Sequence, residues 1–198
     1  MIKIFKPCDF HVHLREGDLA KKVLAENNKH FQKILIMPNL NIPITNSKLL
    51  NKYRNHLLKN NKNLEILFTI YLNQNCSIRE LSEMKKKKLF FSVKLYPQNA
   101  TTNSSSGVSD IKKMTKFFEF LEKNEVPLCV HGEHVQFNDD PFEREKKFLD
   151  IELHWIRKNF PNLKITLEHI TTKDSVDFVK QHNLIGATVT THHLLENT

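Results

Sequence analysis

The chain is short of glycine, with four in 198 residues, and short of cysteine, with three. Neither GxGxxG nor GxxxxGK[ST] occurs, which argues against the usual dinucleotide- and NTP-binding loops. Cys8, Cys76 and Cys129 are odd in number and widely spaced, and no CxxC pair exists. That argues against a disulfide framework or a zinc knuckle and fits reduced thiols in the cytoplasm. Cys8 and Cys129 stand among apolar, strand-like residues and are expected to be buried filler. The opening MIKIFKP holds no apolar run of signal-peptide length, and no later stretch could span a bilayer, so no membrane partner is expected. No internal repeat or domain boundary is visible, so residues 1–198 read as one domain.

What is present is an ordinary globular composition, 39% hydrophobic and 26% charged, with a formal charge of +8. The basic excess raises nucleic-acid binding as one reading. Its sharpest cluster, Lys85 to Lys88 in LSEMKKKKLF, reads better as the solvated end of a helix, where lysines suit the dipole. No aromatic–basic interleaving or recognition-helix pattern supports nucleic acid, and a basic surface also attracts small anionic substrates.

Short apolar, β-branched runs alternate with longer segments of helical spacing. Strands are expected in IKIFKPCDFHVH, where Pro7 marks a bend, and at 34–38, 65–72, 90–97, 127–133, 164–170 and 185–190. Helices are expected at about 18–30, 46–60, 77–87, 109–124, 141–159 and 172–182. Ser77 with Glu80 forms a capping-box pattern, and Thr172 precedes acids in a first turn. Ile111, Met114, Phe117, Phe118 and Leu121 share one helix face, for which core packing is the plain account. Near-continuous apolar strands separated by helices point to a parallel α/β sheet. A (β/α)8 TIM-type barrel closes with eight strands and about 250 residues. Seven strands are visible before HHLLENT, so the expected class is an incomplete barrel, about seven of eight strands, truncated after the seventh.

Chemistry concentrates at strand ends. In FHVHLREGD, His11 and His13 are separated by one residue, and on a strand they share a face about 7 Å apart. Such a pair can ligate a metal; it can also be two solvent-facing imidazoles or one core histidine. His131 ends LCVHGE and His169 ends ITLEHIT, at the strand termini where barrels place catalytic groups, though each alone reads more readily as structural. Lys94 sits in the apolar FFSVKLYP, on the face of Ser92 and Tyr96. Burial would depress its pKa and leave an amine able to form a carbamate, whereas local sequence alone favours a snorkelling lysine. Arg15 offers a bidentate carboxylate clamp or a surface pair with Glu16 or Asp18. Asn39 offers an amide donor or a turn residue. QNATTNSSSG, 98–107, suits a lid or a plain surface loop.

DFHVHLREG, IMPNL, KLYPQNATTNSSSG, PLCVHGE and LEHITTKDS resemble, in order and over essentially the whole chain, the motifs of dihydroorotase. The likeness is to the shorter bacterial class within the amidohydrolase superfamily. The resemblance implies a metallo-dependent (β/α)8 barrel with two Zn2+ ions bridged by N6-carboxylysine at Lys94. His11 and His13 would hold one ion, and His131 and His169 the other. It further implies that Arg15 and Asn39 hold the substrate carboxylate, that Thr101 and Thr102 lie on a closing loop, and that His131 also faces substrate. The reaction implied is the reversible cyclisation of N-carbamoyl-L-aspartate to (S)-dihydroorotate in pyrimidine biosynthesis, in the cytoplasm and in a homodimer. The family's acid–base aspartate ends an eighth strand and has no counterpart here, so no catalytic residue is assigned. His193 matches a family position without a role, and His30, His56, His134, His154, His182 and His192 are expected to be surface or packing residues. Alternative readings are an inactive dihydroorotase-like fragment or binding partner and, behind it, a nucleic-acid-binding protein.

Overall fold

The computed structural model describes residues 5–59, 61, 63–136 and 140–196. Residues 2–4 of the first expected strand and residue 60 of the second expected helix lie outside these. The chain divides into two compact units, Met1–Tyr71 with Asn75–Phe91, and Leu72–Gln74 with Ser92–Thr198.

Unit one alternates β1 (Cys8–Val12), α1 (Gly17–His30), β2 (Lys33–Ile36), α2 (Ser47–Leu58), β3 (Glu65–Leu72) and α3 (Ile78–Lys86). β1 pairs with β2, and β2 with β3, all parallel. The β1–β2 register runs Asp9↔Ile34 and then Val12↔Ile36, three steps against two. The extra residue is a bulge, a device that re-aims a side chain, and Asp9 Oδ1 accepts from His11 N–H inside it at 2.9 Å. Ile34, Leu35, Ile36, Leu50 and Leu57 are buried in the core of this unit. Cys8 is exposed, contrary to the expected buried filler. β1 meets β2 along one side, and the outward half of its alternation, Cys8 and Phe10, faces solvent. The capping box at α3 is half formed: Ser77 Oγ accepts from Glu80 N–H at 3.4 Å. The Glu80 carboxylate instead accepts from Ser47 N–H at 2.8 Å and from the Ser47 hydroxyl, serving the N-terminus of α2.

Unit two continues with β4 (Ser92–Leu95), a 3-10 turn (Ile111–Met114), α4 (Thr115–Lys123) and β5 (Leu128–His131). A helical run over 141–159 contains α5 (Arg144–Phe148), a π-turn (Leu149–Leu153) and α6 (His154–Asn159). β6 (Ile165–Glu168), α7 (Lys173–Gln181), β7 (Ile185–Ala187) and α8 (Thr191–Leu195) follow. β4, β5, β6 and β7 are parallel neighbours in that order. The expected face of α4 packs as read, with Met114, Phe118 and Leu121 buried and Phe117 half-buried. Thr172 caps α7 through Ser175 N–H at 3.2 Å. The seventh strand is shorter than the expected 185–190, and α8 forms in THHLL, which polar spacing had not marked.

Candidate functional site

In unit one the bulge and the alternation that buries Val12 and Leu14 turn His11 and His13 to the same side. Their Nε2 atoms stand 3.2 Å apart, with the rings edge to face. Two imidazoles on one tetrahedral zinc, at about 2.0–2.1 Å each, place their nitrogens at nearly this separation. The chain then turns at Arg15, which adopts φ 64°. The Arg15 carbonyl accepts from the Tyr53 hydroxyl at 2.8 Å, which fixes the turn. Burial pushes the Tyr53 phenol well up, so it stays a donor. Asp18 pairs with Lys21, and the Arg15 guanidinium forms no salt bridge with Glu16 or Asp18 among the described residues. Asn39 is buried in the turn after β2, where the Pro38 carbonyl accepts from Leu40 N–H and Ile44 N–H.

In unit two Lys94 is fully buried, which corrects the snorkelling reading favoured by local sequence. The residue sits in β4, paired with Cys129 of β5 in a strand buried at every position, so its stem cannot reach water. Its Nζ lies 5.2 Å from the Tyr96 ring centroid and has no hydrogen-bond partner among the described residues. Burial lowers its pKa, opposed by the negative charge of Glu168 and by Cys129. Cys129 is buried as expected, and burial with the Glu168 charge pushes its thiol up to about 12.

His131, at the end of β5, and His169, just past β6, bring their rings to 4.6 Å between centroids. Tyr96 lies 6.0 Å from His131. His131 Nε2 bonds Glu133 Oε1 at 3.0 Å. Burial alone would raise the Glu133 carboxyl, but the His131 hydrogen bond and the charges of His131 and Arg144 hold it below its usual range. His169 adopts φ 44°, and its N–H donates to Thr188 Oγ1 at 2.7 Å. Thr188 Oγ1 in turn donates to the buried Glu168 Oε2 at 2.6 Å.

Thr101 and Thr102 are exposed on a loop that is tied together rather than loose. Pro97 bridges Val108, Thr101 N–H donates to Ser104 Oγ at 2.9 Å, and Gln98 Nε2 donates to the Ser105 carbonyl at 2.9 Å. Gly107 is required by close approach, since a Cβ there would stand 2.6 Å from the Tyr96 carbonyl oxygen. A cavity of about 780 Å³ in unit two is lined by Asn99, Glu133, His134, Glu152 and Trp155, but not by Lys94, His131 or His169.

Among the described residues no three His, Cys, Asp or Glu side chains gather closely enough to hold an ion. Of the expected ligands, unit one brings together His11 and His13, and unit two brings together His131 and His169 and adds the buried amine of Lys94. Sequence reasoning missed Glu133, Glu145, Glu168 and Thr188. An acid inside the apolar KITLEHI was a usable signal for Glu168; the others show no local pattern. His134, expected to be a plain surface or packing residue, forms a 2.6 Å pair with Glu152 on the π-turn.

No protein-family profile matches the chain. It is 44% identical over 201 residues to the dihydroorotase of Buchnera aphidicola subsp. Acyrthosiphon pisum, covering 99% of this chain and 57% of that protein. Its fold superposes on dihydroorotase from Campylobacter jejuni with a TM-score of 0.88 at 36% identity, covering 97% of this chain and 56% of that one. Dihydroorotase from Saccharomyces cerevisiae, solved with 5-fluoroorotic acid, matches with a TM-score of 0.87 at 29% identity, covering 96% and 57%. The expected α/β class of the TIM type is borne out by these superpositions, and the chain matches only part of each neighbour's barrel. The chain thus spans little more than half the length of the relatives it matches.

Proposed function

The chain is a homologue of the dihydroorotases over essentially its whole length, and from that premise we propose that it supplies the metal- and substrate-binding portion of a dihydroorotase. The reaction is the reversible cyclisation of N-carbamoyl-L-aspartate to (S)-dihydroorotate. In the ring-opening direction water adds at the ring carbonyl, the C–N bond breaks, and the ring nitrogen takes up a proton.

The observation that carries this reading is Lys94, a buried amine without a hydrogen-bond partner among the described residues, in the strand beside the one that ends at His131. A charged ammonium there would be costly, and the Glu168 charge and the Tyr96 ring offset that cost only in part, since burial still lowers the Lys94 pKa. A neutral amine that takes up carbon dioxide becomes an anionic, two-oxygen ligand. The donor set of imidazoles and one carbamate is chemically suited to zinc. His11 and His13 of unit one, and His131, His169 and carbamylated Lys94 of unit two, are the residues that would hold the zinc. Zinc held there supplies Lewis acidity that activates water and polarises a carbonyl.

The remaining roles belong to this chain's own groups. His131 would give up its hydrogen bond to Glu133 on ligating zinc. Arg15 and Asn39 grip the substrate carboxylate, Arg15 through its planar fork and Asn39 through its amide. Thr101 and Thr102 lead the loop that excludes water. Among the described residues no helix is long and apolar enough to cross a membrane, and free thiols suit a reducing cytoplasm. Self-association follows the homodimer implied by the resemblance.

The test is zinc content, Lys94 mass and dihydroorotate turnover of the purified 198-residue chain. Two zinc ions, a mass increment on Lys94 and chelator-sensitive turnover support the reading. Zinc and dihydroorotate binding without turnover would make the chain a binding protein, and absence of both zinc and the Lys94 adduct would end the proposal.

A further inference from the structure

The segment that carries His169 is secured by a residue far from it in sequence. Four successive backbone N–H groups, His169 to Thr172, point outward in two pairs. His169 N–H donates to Thr188 Oγ1 at 2.7 Å, and Ile170 N–H to the Thr188 carbonyl at 2.9 Å. Thr171 N–H and Thr172 N–H both donate to the Glu145 carboxylate at 3.0 Å. The same carboxylate accepts from Thr171 Oγ1 at 2.9 Å, from Thr172 Oγ1 at 2.7 Å and from the hydroxyl of fully buried Ser175.

A single carboxylate with five separate donors is far more than an N-cap needs. Thr172 already caps α7 through Ser175 N–H. Glu145 lies on α5, and its negative charge at the start of α7 is favoured by the helix dipole. Its position matters because His169 adopts φ 44°, a left-handed conformation that a non-glycine residue holds only when its neighbours impose it. Thr188 fixes the N-terminal half of this turn and Glu145 the C-terminal half.

We infer that Glu145 is a positioning residue that sets the imidazole of His169 for ligation. The inference rests on the proposed function for the role of His169, but the clamp itself stands on the hydrogen bonds. A merely structural Glu145 would stabilise α7 and leave His169 where it is.

The experiment compares the 198-residue chain with E145Q, E145A and, as a helix-cap control in the other unit, N46A. Asn46 Oδ1 accepts from Leu49 N–H at 3.0 Å and touches no candidate ligand. Zinc affinity is read by competition with a chromogenic chelator, and amide exchange of residues 169–172 by NMR in zinc-free buffer. Positioning predicts zinc binding weakened about 10–100-fold in E145Q, the range for losing a group that orients a ligand, with N46A unchanged. It also predicts faster exchange at His169 and Ile170, whose N–H groups Glu145 does not touch. Faster exchange confined to Thr171 and Thr172, or zinc affinity in E145Q equal to that of N46A, would overturn it. If the unaltered chain binds no zinc, the proposed function fails and the exchange at His169 and Ile170 decides the clamp alone.

Discussion

The imidazole pair of unit one and that of unit two achieve similar proximity by different means. His11 and His13 are neighbours by strand periodicity, adjusted by one bulge, and need little beyond their own strand. His131 and His169 come from adjacent parallel strands, and their approach depends on β5–β6 register, on a strained turn and on distant clamps. Unit two also holds a buried amine, Lys94, on the strand beside β5, and unit one holds none among the described residues. A local motif is robust but chemically generic. A motif assembled across strands is more fragile, and it can bury a group that a single strand could not.

The largest expected effect would sharpen this contrast at the amine. Lys94→Met keeps the linear side chain and removes the nitrogen; on the proposed function, any turnover of dihydroorotate should fall about 10³-fold, the scale of losing a preorganised electrostatic centre. Folding, followed by circular dichroism, should survive. Activity retained in this variant would remove unit two's claim to the chemistry.

Next comes the loop. Gly107→Ala drives a methyl against the Tyr96 carbonyl and should cost about 1–3 kcal/mol of stability by chemical denaturation, the usual price of overpacking. A loop that merely covers the surface would tolerate it.

A smaller effect is the pH dependence of the zinc-free chain. The folded-state pKa of Lys94 is lowered beneath its ordinary value of 10.5. Between those two values the unfolded chain binds the extra proton, so this residue's contribution to stability rises with pH and levels off above about 10.4. Denaturation midpoints of the unaltered chain should therefore gain on those of Lys94→Met as the buffer becomes alkaline, and a gap that narrows would contradict the buried neutral amine.

The mildest test compares thiols. Cys8 on β1 should react with an exposed-thiol reagent in the native chain, while Cys76 and Cys129 should react only after unfolding, in line with the raised thiol of Cys129. Rapid labelling of Cys129 would show that unit two is open.

Much of the architecture was legible because it is local. Apolar runs at 34–38, 65–72 and 127–133 and caps at Ser77 and Thr172 mark elements that formed nearly where they were read. Cys8 was misread because an edge strand has the same composition as a central one. For Lys94, local sequence alone pointed to snorkelling while the resemblance pointed to a buried amine, and its burial favours the second, because a lysine's freedom to snorkel depends on what lies above its strand. Glu80 left its own capping box for Ser47, and Glu145 serves Thr171, Thr172 and Ser175, since a carboxylate's partner is a matter of tertiary distance. Helix α8 and the π-turn carry no periodic signal of their own. The pair His11–His13 was readable from spacing alone, whereas His131–His169 required the parallel order of β5 and β6.

Arg15 and His169 share one more property: each follows the end of its strand in a left-handed backbone conformation, at φ 64° and 44°. Glycine would accept these angles freely and alanine would not. A saturation library scored only for soluble expression should therefore enrich glycine at both sites, whereas one scored for ligand capture should reject it. The disagreement between the two rankings would mark the positions where selection has kept a side chain at the backbone's expense.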